Sequence, residues 1–196
     1  MNKRKFIASG LTLCLGAASG KLQALEFYPV GSERKWAVVY GTWCGSARDA
    51  AVWISEGMGG IAQVFDVREN PDLSAYEFVV IGGAIRGGKV SDELQSYIAK
   101  HREMLRPKLR GLFAVCGNRM QPVEAHQKAE LIDAPLGALL GAGTDVPSRA
   151  FLGRITYSLM DEDSRKMLQG FNMPEYDNLK RSECMDFGKE ILSKVR

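Results

Sequence analysis

The chain has 196 residues, 45% hydrophobic and 25% charged, with 21 Gly, 7 Pro and 4 Cys, which suits one ordinary globular domain with at most a short tail and excludes a collagen, a disordered tail or a disulfide-dense miniprotein. The formal charge is +3, but Lys3, Arg4, Lys5 and Lys21 lie in the first 25 residues, where no acid occurs. The remainder holds 22 basic against 23 acidic residues, so a nucleic-acid partner recognised through bulk charge is disfavoured.

In chain order, residues 1–5 are polar and basic, and Phe6 to Gly20 carry no charge. This apolar run is short for a bilayer span and contains Gly10, Gly16 and Gly20, the pattern of a secretory signal peptide over residues 1–25. Ala17-Ala18-Ser19 offers small residues for cleavage; Leu22-Gln23-Ala24 fits less well. Arg4-Lys5-Phe6-Ile7 resembles a twin-arginine signal with Lys in place of one Arg. The expectation is an exported, periplasmic protein, cleaved or anchored to the membrane through this segment; the alternative is a cytoplasmic chain with a buried N-terminal helix. Export would leave Cys44, Cys116 and Cys184, an odd number, so at least one thiol stays free or pairs between chains.

Residues 26–196 alternate strand and helix. Trp36–Tyr40 reads as a buried strand. Ala47, Ala50, Ala51, Ile54 and Met58 recur at helical spacing, and Gly57, Gly59 and Gly60 stop that helix. Ile61–Phe65 and Phe78–Ile81 are the next strands, the latter β-branched as for a strand covered on both faces. Ser91 caps a helix with Asp92 and Glu93 in its first turn and Leu94, Tyr97, Ile98 and Leu105 on its inner stripe. Leu112–Val115 is a fourth strand, Pro122 opens a helix over Val123–Ile132, and Ala150–Ile155 is a fifth strand. Ser182–Val195 is a final helix with Met185, Ile191 and Leu192 inward. Residues 158–180, with Leu159, Met160, Met167, Leu168, Phe171 and Met173, form an insertion too long for a plain loop: a lid, a partner surface or an extra helix.

This alternation implies an α/β fold, a parallel sheet wound by right-handed crossovers with helices on both faces. Ligands of such sheets bind beyond the carboxyl ends of the strands, where strand order reverses. Three loops leave such ends: Gly41-Thr42-Trp43-Cys44-Gly45-Ser46-Ala47, Gly82-Gly83-Ala84-Ile85-Arg86-Gly87-Gly88 and Cys116-Gly117-Asn118-Arg119-Met120-Gln121. The first runs into a helix and can surround an anion with backbone N–H groups. The glycines of the second allow close approach to a flat ligand.

These loops, with Val79–Gly88 followed by the helix around Leu94–His101, and with Phe151-Leu152-Gly153-Arg154 before a long insertion, resemble the flavodoxin family. They come nearest the branch that includes the menaquinone-dependent protoporphyrinogen oxidase. The resemblance covers roughly residues 36–195 and implies a flavodoxin-like, doubly wound five-stranded sheet of order 2-1-3-4-5 that binds FMN. By position it implies phosphate contacts from Thr42, Cys44, Gly45, Ser46 and Ala47. It implies a ring flanked by Gly83, Ala84, Ile85, Arg86 and Gly87 on one side and Cys116, Gly117, Asn118 and Arg119 on the other. Trp43 either stacks on the flavin or covers the loop. Ala47 stands where the family carries Thr, which removes one hydroxyl donor. The resemblance further implies an oxidoreductase passing electrons between a substrate and quinone; the alternatives are a non-enzymatic electron carrier serving a redox partner protein, or a flavin-free interaction module. Backbone near Gly83 and Ala84 would tune the flavin's N5, with no side chain needed as base. Arg86 and Arg119 near the ring would favour reduced, anionic flavin or an acidic partner.

Trp43-Cys44-Gly45-Ser46 also resembles a thioredoxin site on the surface, and a Cys at a helix N-terminus has a lowered pKa. Ala47 replaces the second cysteine, so a two-thiol cycle within the motif is impossible; the readings are an inert small residue at Cys44, or a redox-active Cys44 partnered by Cys116 two strand spacings away. His101 and His126 sit among charged residues and read as solvated. Asp161-Glu162-Asp163 reads as a solvated turn. No Cys/His spacing suggests zinc, and the Lys-containing nucleotide-phosphate loop is absent.

Overall fold

The structure is a computed structural model that describes residues 34–117, 119–143 and 145–195. The leader expected over residues 1–25 lies outside them. Among the described residues, no helix is long and apolar enough to cross a membrane.

Apolar, largely β-branched runs form the centre. Trp36–Gly41 (β1), Phe78–Ala84 (β3) and Leu109–Cys116 (β4) are buried almost throughout, as strands covered on both faces must be. Ala62–Asp66 (β2) and Ser148–Leu152 (β5) close the edges and are only partly buried. All neighbours pair in parallel, in the order β2-β1-β3-β4-β5. Successive side chains alternate between two cores. Ala37, Val39, Val79, Ile81, Leu112 and Ala114 face one; Trp36, Val38, Phe78, Val80, Phe113 and Val115 face the other.

Ser46–Gly57 (α1) and Arg181–Ser193 (α5) cover the second core. They pack backbone to backbone: a Cβ on Gly188 would lie 2.2 Å from the Ile54 carbonyl oxygen, and one on Gly57 would lie 2.0 Å from that of Met185. Gly57 therefore serves helix packing as well as helix ending. The inward stripe of α5 is Cys184, Phe187, Gly188 and Ile191. Met185, expected inward, sits half-buried at its margin because its backbone meets α1. Asp92–Leu105 (α2) covers the first core; the Ser91 hydroxyl accepts from the Leu94 N–H at 3.4 Å, with Asp92 and Glu93 in the first turn.

The structure departs from the sequence pattern in two places. The helix expected over Val123–Ile132 is instead a short 3-10 turn, Ala125–Gln127, then a π-helical segment, Ala129–Gly137, running into Ala138–Leu140; together the last two form α3 (129–140). Pro135 lies inside it: proline has no N–H and its ring crowds the carbonyl four residues back, a conflict the wider π turn relieves. Next, the run Ala150–Ile155 is two strands. β5 ends at Leu152, and Arg154–Ile155 (β6) pairs antiparallel with Tyr176–Asp177 (β7). The switch is at Gly153, whose N–H donates to the Cys116 carbonyl (2.9 Å) and whose carbonyl accepts from the Asn178 N–H (3.1 Å). The insertion contains the extra helix that was one of its expected readings, Glu162–Gly170 (α4). Asp161, exposed as expected, is its cap, accepting from the Ser164 N–H at 2.9 Å.

Candidate functional site

The loop after β1 turns back on itself before α1. Gly45 has φ 84°, and its N–H donates to the Thr42 hydroxyl oxygen at 3.0 Å. No side chain caps α1, so the amides of its first turn remain donors for an anion. After β3, the Ile85 N–H donates to the Val115 carbonyl (2.9 Å), and Arg86 and Lys89 exchange backbone hydrogen bonds of 2.9 and 3.1 Å. Gly87 (φ 57°) and Gly88 (φ 76°) form the tip of this turn, a backbone that side chains strain. After β4, the Gly117 carbonyl accepts from the Tyr176 hydroxyl at 2.5 Å. A Cβ on Gly153 would lie 2.8 Å from the Gly117 Cα, so β6 and β7 press directly on this third loop.

The three loops open onto one cavity of about 430 Å³. Thr42, Trp43, Cys44 and Ser46 line it from the first loop, Ala84, Ile85, Arg86 and Gly87 from the second, and Cys116, Gly117 and Arg119 from the third. Gly45, Ala47 and Gly83, also expected there, are not on its wall. Ala47 is fully buried in the core between α1 and the sheet. Gly82 and Gly83 are glycine for packing: a Cβ on Gly82 would meet the Phe113 ring at 2.2 Å, and one on Gly83 would meet Leu94 Cδ2 at 3.0 Å and the Gly41 carbonyl at 3.1 Å. Asn118 lies outside the described residues.

Further walls come from segments that sequence reasoning did not assign to the site. Glu130 and Leu131 come from α3, Arg154 and Ile155 from β6, and Met160, Ser164, Met167 and Leu168 from the insertion. The methionine-rich insertion is thus both an extra helix and a wall of the cavity. Its apolar spacing was a legible signal; its position was not.

Charges at the site are mostly paired. The Arg154 guanidinium reaches Asp49 of α1 and lies 3.3 Å from Asp177, tying α1 to β7; its Nε is buried without a partner among the described residues. Arg119 stands 3.8 Å from Glu130. Arg86 lies over the Trp43 ring at 4.6 Å and 3.2 Å from Asp161. Hydrogen bonds from Ser164, then Arg86, hold the Asp161 carboxyl down to about 2.

Cys44 fits the inert reading better than the redox-active one. Cys44 is half-buried and free, and burial raises its pKa more than the neighbouring Arg86 lowers it. Cys116 is buried, free and pushed up to about 11, again by burial. A thiol needs its thiolate to act as nucleophile, and burial works against that form at both positions. His101 is half-buried against Tyr97, ring centroids 4.6 Å apart, rather than solvated. Among the described residues no group of His, Cys, Asp and Glu could hold a metal ion.

Residues 37–179 match the flavodoxin domain family. The chain belongs to that family. This flavodoxin domain shares its fold with oxidised flavodoxin 1 from Bacillus cereus, at 13% identity over 83% of this chain and 99% of that one, TM-score 0.51. A short-chain flavodoxin associated with a non-canonical PDU bacterial microcompartment matches at 9% identity over the same shares, TM-score 0.50. The metal-soaked Flv1 flavodiiron core from Synechocystis matches at 15% identity over 86% of this chain but 38% of that longer one, TM-score 0.50. No curated protein matches the chain.

Proposed function

We propose that this flavodoxin domain binds FMN non-covalently in the cavity and works as an oxidoreductase passing electrons between a substrate and a quinone. The observation that carries the reading is the convergence of the loops after β1, β3 and β4 on one cavity, at the point where strand order reverses. The residues present fit such a group. The first loop offers uncapped amides and the Thr42 and Ser46 hydroxyls for a phosphate. The walls from Ile85, Leu131, Met160 and Leu168 are apolar and suit a planar ring. FMN, when bound, supplies one- or two-electron chemistry. The chain binds, orients and excludes water, and no side chain is required as a base. Met167, 53% exposed, carries the apolar lining out to the surface, which suits a flat, apolar acceptor such as a quinone. By family resemblance, a porphyrinogen is a candidate donor.

A second reading is a non-enzymatic electron carrier. Leu159, Met167 and Phe171 are 54, 53 and 73% exposed, an apolar surface on and beside α4 that suits a redox partner protein. The leader-like residues 1–25 add the proposal that the domain works outside the cytoplasm, cleaved or anchored at a membrane.

The test uses the full chain. FMN titration should quench flavin fluorescence and give a yellow protein that releases flavin on denaturation. A colourless protein that refuses FMN would contradict the reading and leave an interaction module. With flavin bound, turnover with a quinone and a porphyrinogen supports the enzyme; electron exchange with a redox protein alone supports the carrier.

A further inference from the structure

The insertion between β5 and α5 is built as a stem and a head. β6 and β7 form the stem, with Arg154 opposite Asp177 and Ile155 opposite Tyr176. Tyr157 extends it: its N–H donates to the Glu175 carboxylate at 2.6 Å and its hydroxyl to the Met173 carbonyl. The stem is anchored beside the sheet, where the Tyr176 hydroxyl donates to the Gly117 carbonyl and the Asn178 N–H to that of Gly153. The head is α4. Its only buried residue is Ser164, and Met160, Met167 and Leu168 set it against the cavity. The chain leaves α4 through Asn172 at φ 51°, a left-handed conformation uncommon outside glycine.

Among the described residues, one polar contact joins this head to the fold outside the insertion: Arg86 of the second loop lies 3.2 Å from Asp161. Both side chains are exposed, 39 and 51%. Asp161 caps α4, accepting from the Ser164 N–H and hydroxyl, so a hold on this carboxylate is a hold on the helix. Arg86 is fixed on its own side by the backbone pair with Lys89 and by the Trp43 ring under its guanidinium. A firm stem, a thinly held head and one exposed ion pair across the mouth are the parts of a hinged flap.

We propose that α4 is a lid on the cavity, hinged on the β6–β7 stem and latched by the Arg86–Asp161 ion pair, so that the occupant enters and leaves only when the latch opens. An exposed ion pair is weak and is screened by salt. The latch therefore favours the closed arrangement by a small factor and releases as ionic strength rises. For its occupant the inference rests on the FMN reading above. A lid that gates entry and exit alike governs how fast FMN exchanges more than how tightly it binds.

The test is the stopped-flow rate of FMN binding to the full chain, together with the rate of its release, read as recovery of flavin fluorescence on dilution. D161N keeps a capping side chain and removes the latch. It should raise both rates about two- to fivefold, the range of one exposed ion pair, and leave the Kd within about twofold. The gap between D161N and wild type should close as salt rises from about 20 to about 500 mM, because screening opens the wild-type latch. D161N rates equal to wild type at low salt, faster release without faster binding, or a gap that salt leaves unchanged overturns the lid while leaving FMN binding intact. If the wild type refuses FMN, the FMN reading falls and limited trypsin digestion of the full chain decides the lid. Cleavage after Arg165 or Lys166 needs the head to leave the fold, and at low salt it should be about two- to fivefold faster in D161N; equal cleavage of the two proteins overturns the lid.

Discussion

Gly153 joins the sheet to the site, and Gly153→Ala tests that joint. Its backbone is outside the left-handed region, so alanine meets no conformational penalty, but the new Cβ would lie 2.8 Å from the Gly117 Cα, 3.0 Å from the Gly117 N and 3.1 Å from Val115 Cγ1. Two of these atoms are backbone and cannot rotate away, so the third loop must move by several tenths of an ångström. Overpacking of this kind costs about 1–3 kcal/mol. Restricting the unfolded chain returns about 0.4–1 kcal/mol. The net expectation is a loss of about 1–2 kcal/mol, roughly one order of magnitude in the folded-to-unfolded ratio. Gly170→Ala is the matched control. No atom lies within 4 Å of its new Cβ, so only the unfolded-state term acts and stability should rise by about 0.4–1 kcal/mol. Urea unfolding reads both, and FMN titration of G153A should show weaker binding through the displaced Gly117. G153A as stable as wild type, with unchanged flavin affinity, would refute the idea that β6 and β7 hold the third loop by close approach.

Other predictions follow from the same geometry. Thr42→Val removes the acceptor of the Gly45 N–H; it should lower stability by about 0.5–1.5 kcal/mol and weaken FMN binding in a titration. Gly45→Val forces a β-branched residue to φ 84°, costing about 1–2 kcal/mol, and the purified variant should come out colourless. Arg154→Met leaves Asp49 and Asp177 without their shared cation. The loss in chemical denaturation should be about 1–2 kcal/mol, less than for a fully buried pair because Asp177 is half exposed. Burial holds Cys116 up to about 11 and Cys184 up to about 12, above the free value of 9.0. Unfolded thiols ionise first, so this stability is complete below about pH 9 and is lost as pH rises toward the folded values. Urea midpoints should hold up to about pH 9 and fall above it, and the fall should be smaller in C184A; equal slopes in the two proteins would contradict the assignment.

The strands were legible because burial on both sheet faces writes itself as continuous apolar runs, as in Trp36–Tyr40 and Phe78–Ile81. Helix starts were legible where a side chain caps them, as at Ser91. What failed depended on contacts between distant segments. Gly153 looks like one more residue of a strand until Gly117 is placed against it. Gly82 and Gly83 look like ligand glycines until the Phe113 ring and Leu94 are seen filling the space of their missing side chains. Arg154 finds Asp49 105 positions away, a separation no local pattern encodes. Pro122 signalled a helix start, yet Pro135 decided the form of the helix that follows. At the site, loop composition located the cavity, but only the fold could bring α3, β6 and α4 to its walls.

The most direct test follows backbone amide resonances of the full-length protein while FMN is added. The account predicts saturable shifts at residues 42–46, 84–88 and 116–119, with smaller ones in α4. Shifts confined to other surfaces, or none at saturating FMN, would contradict it.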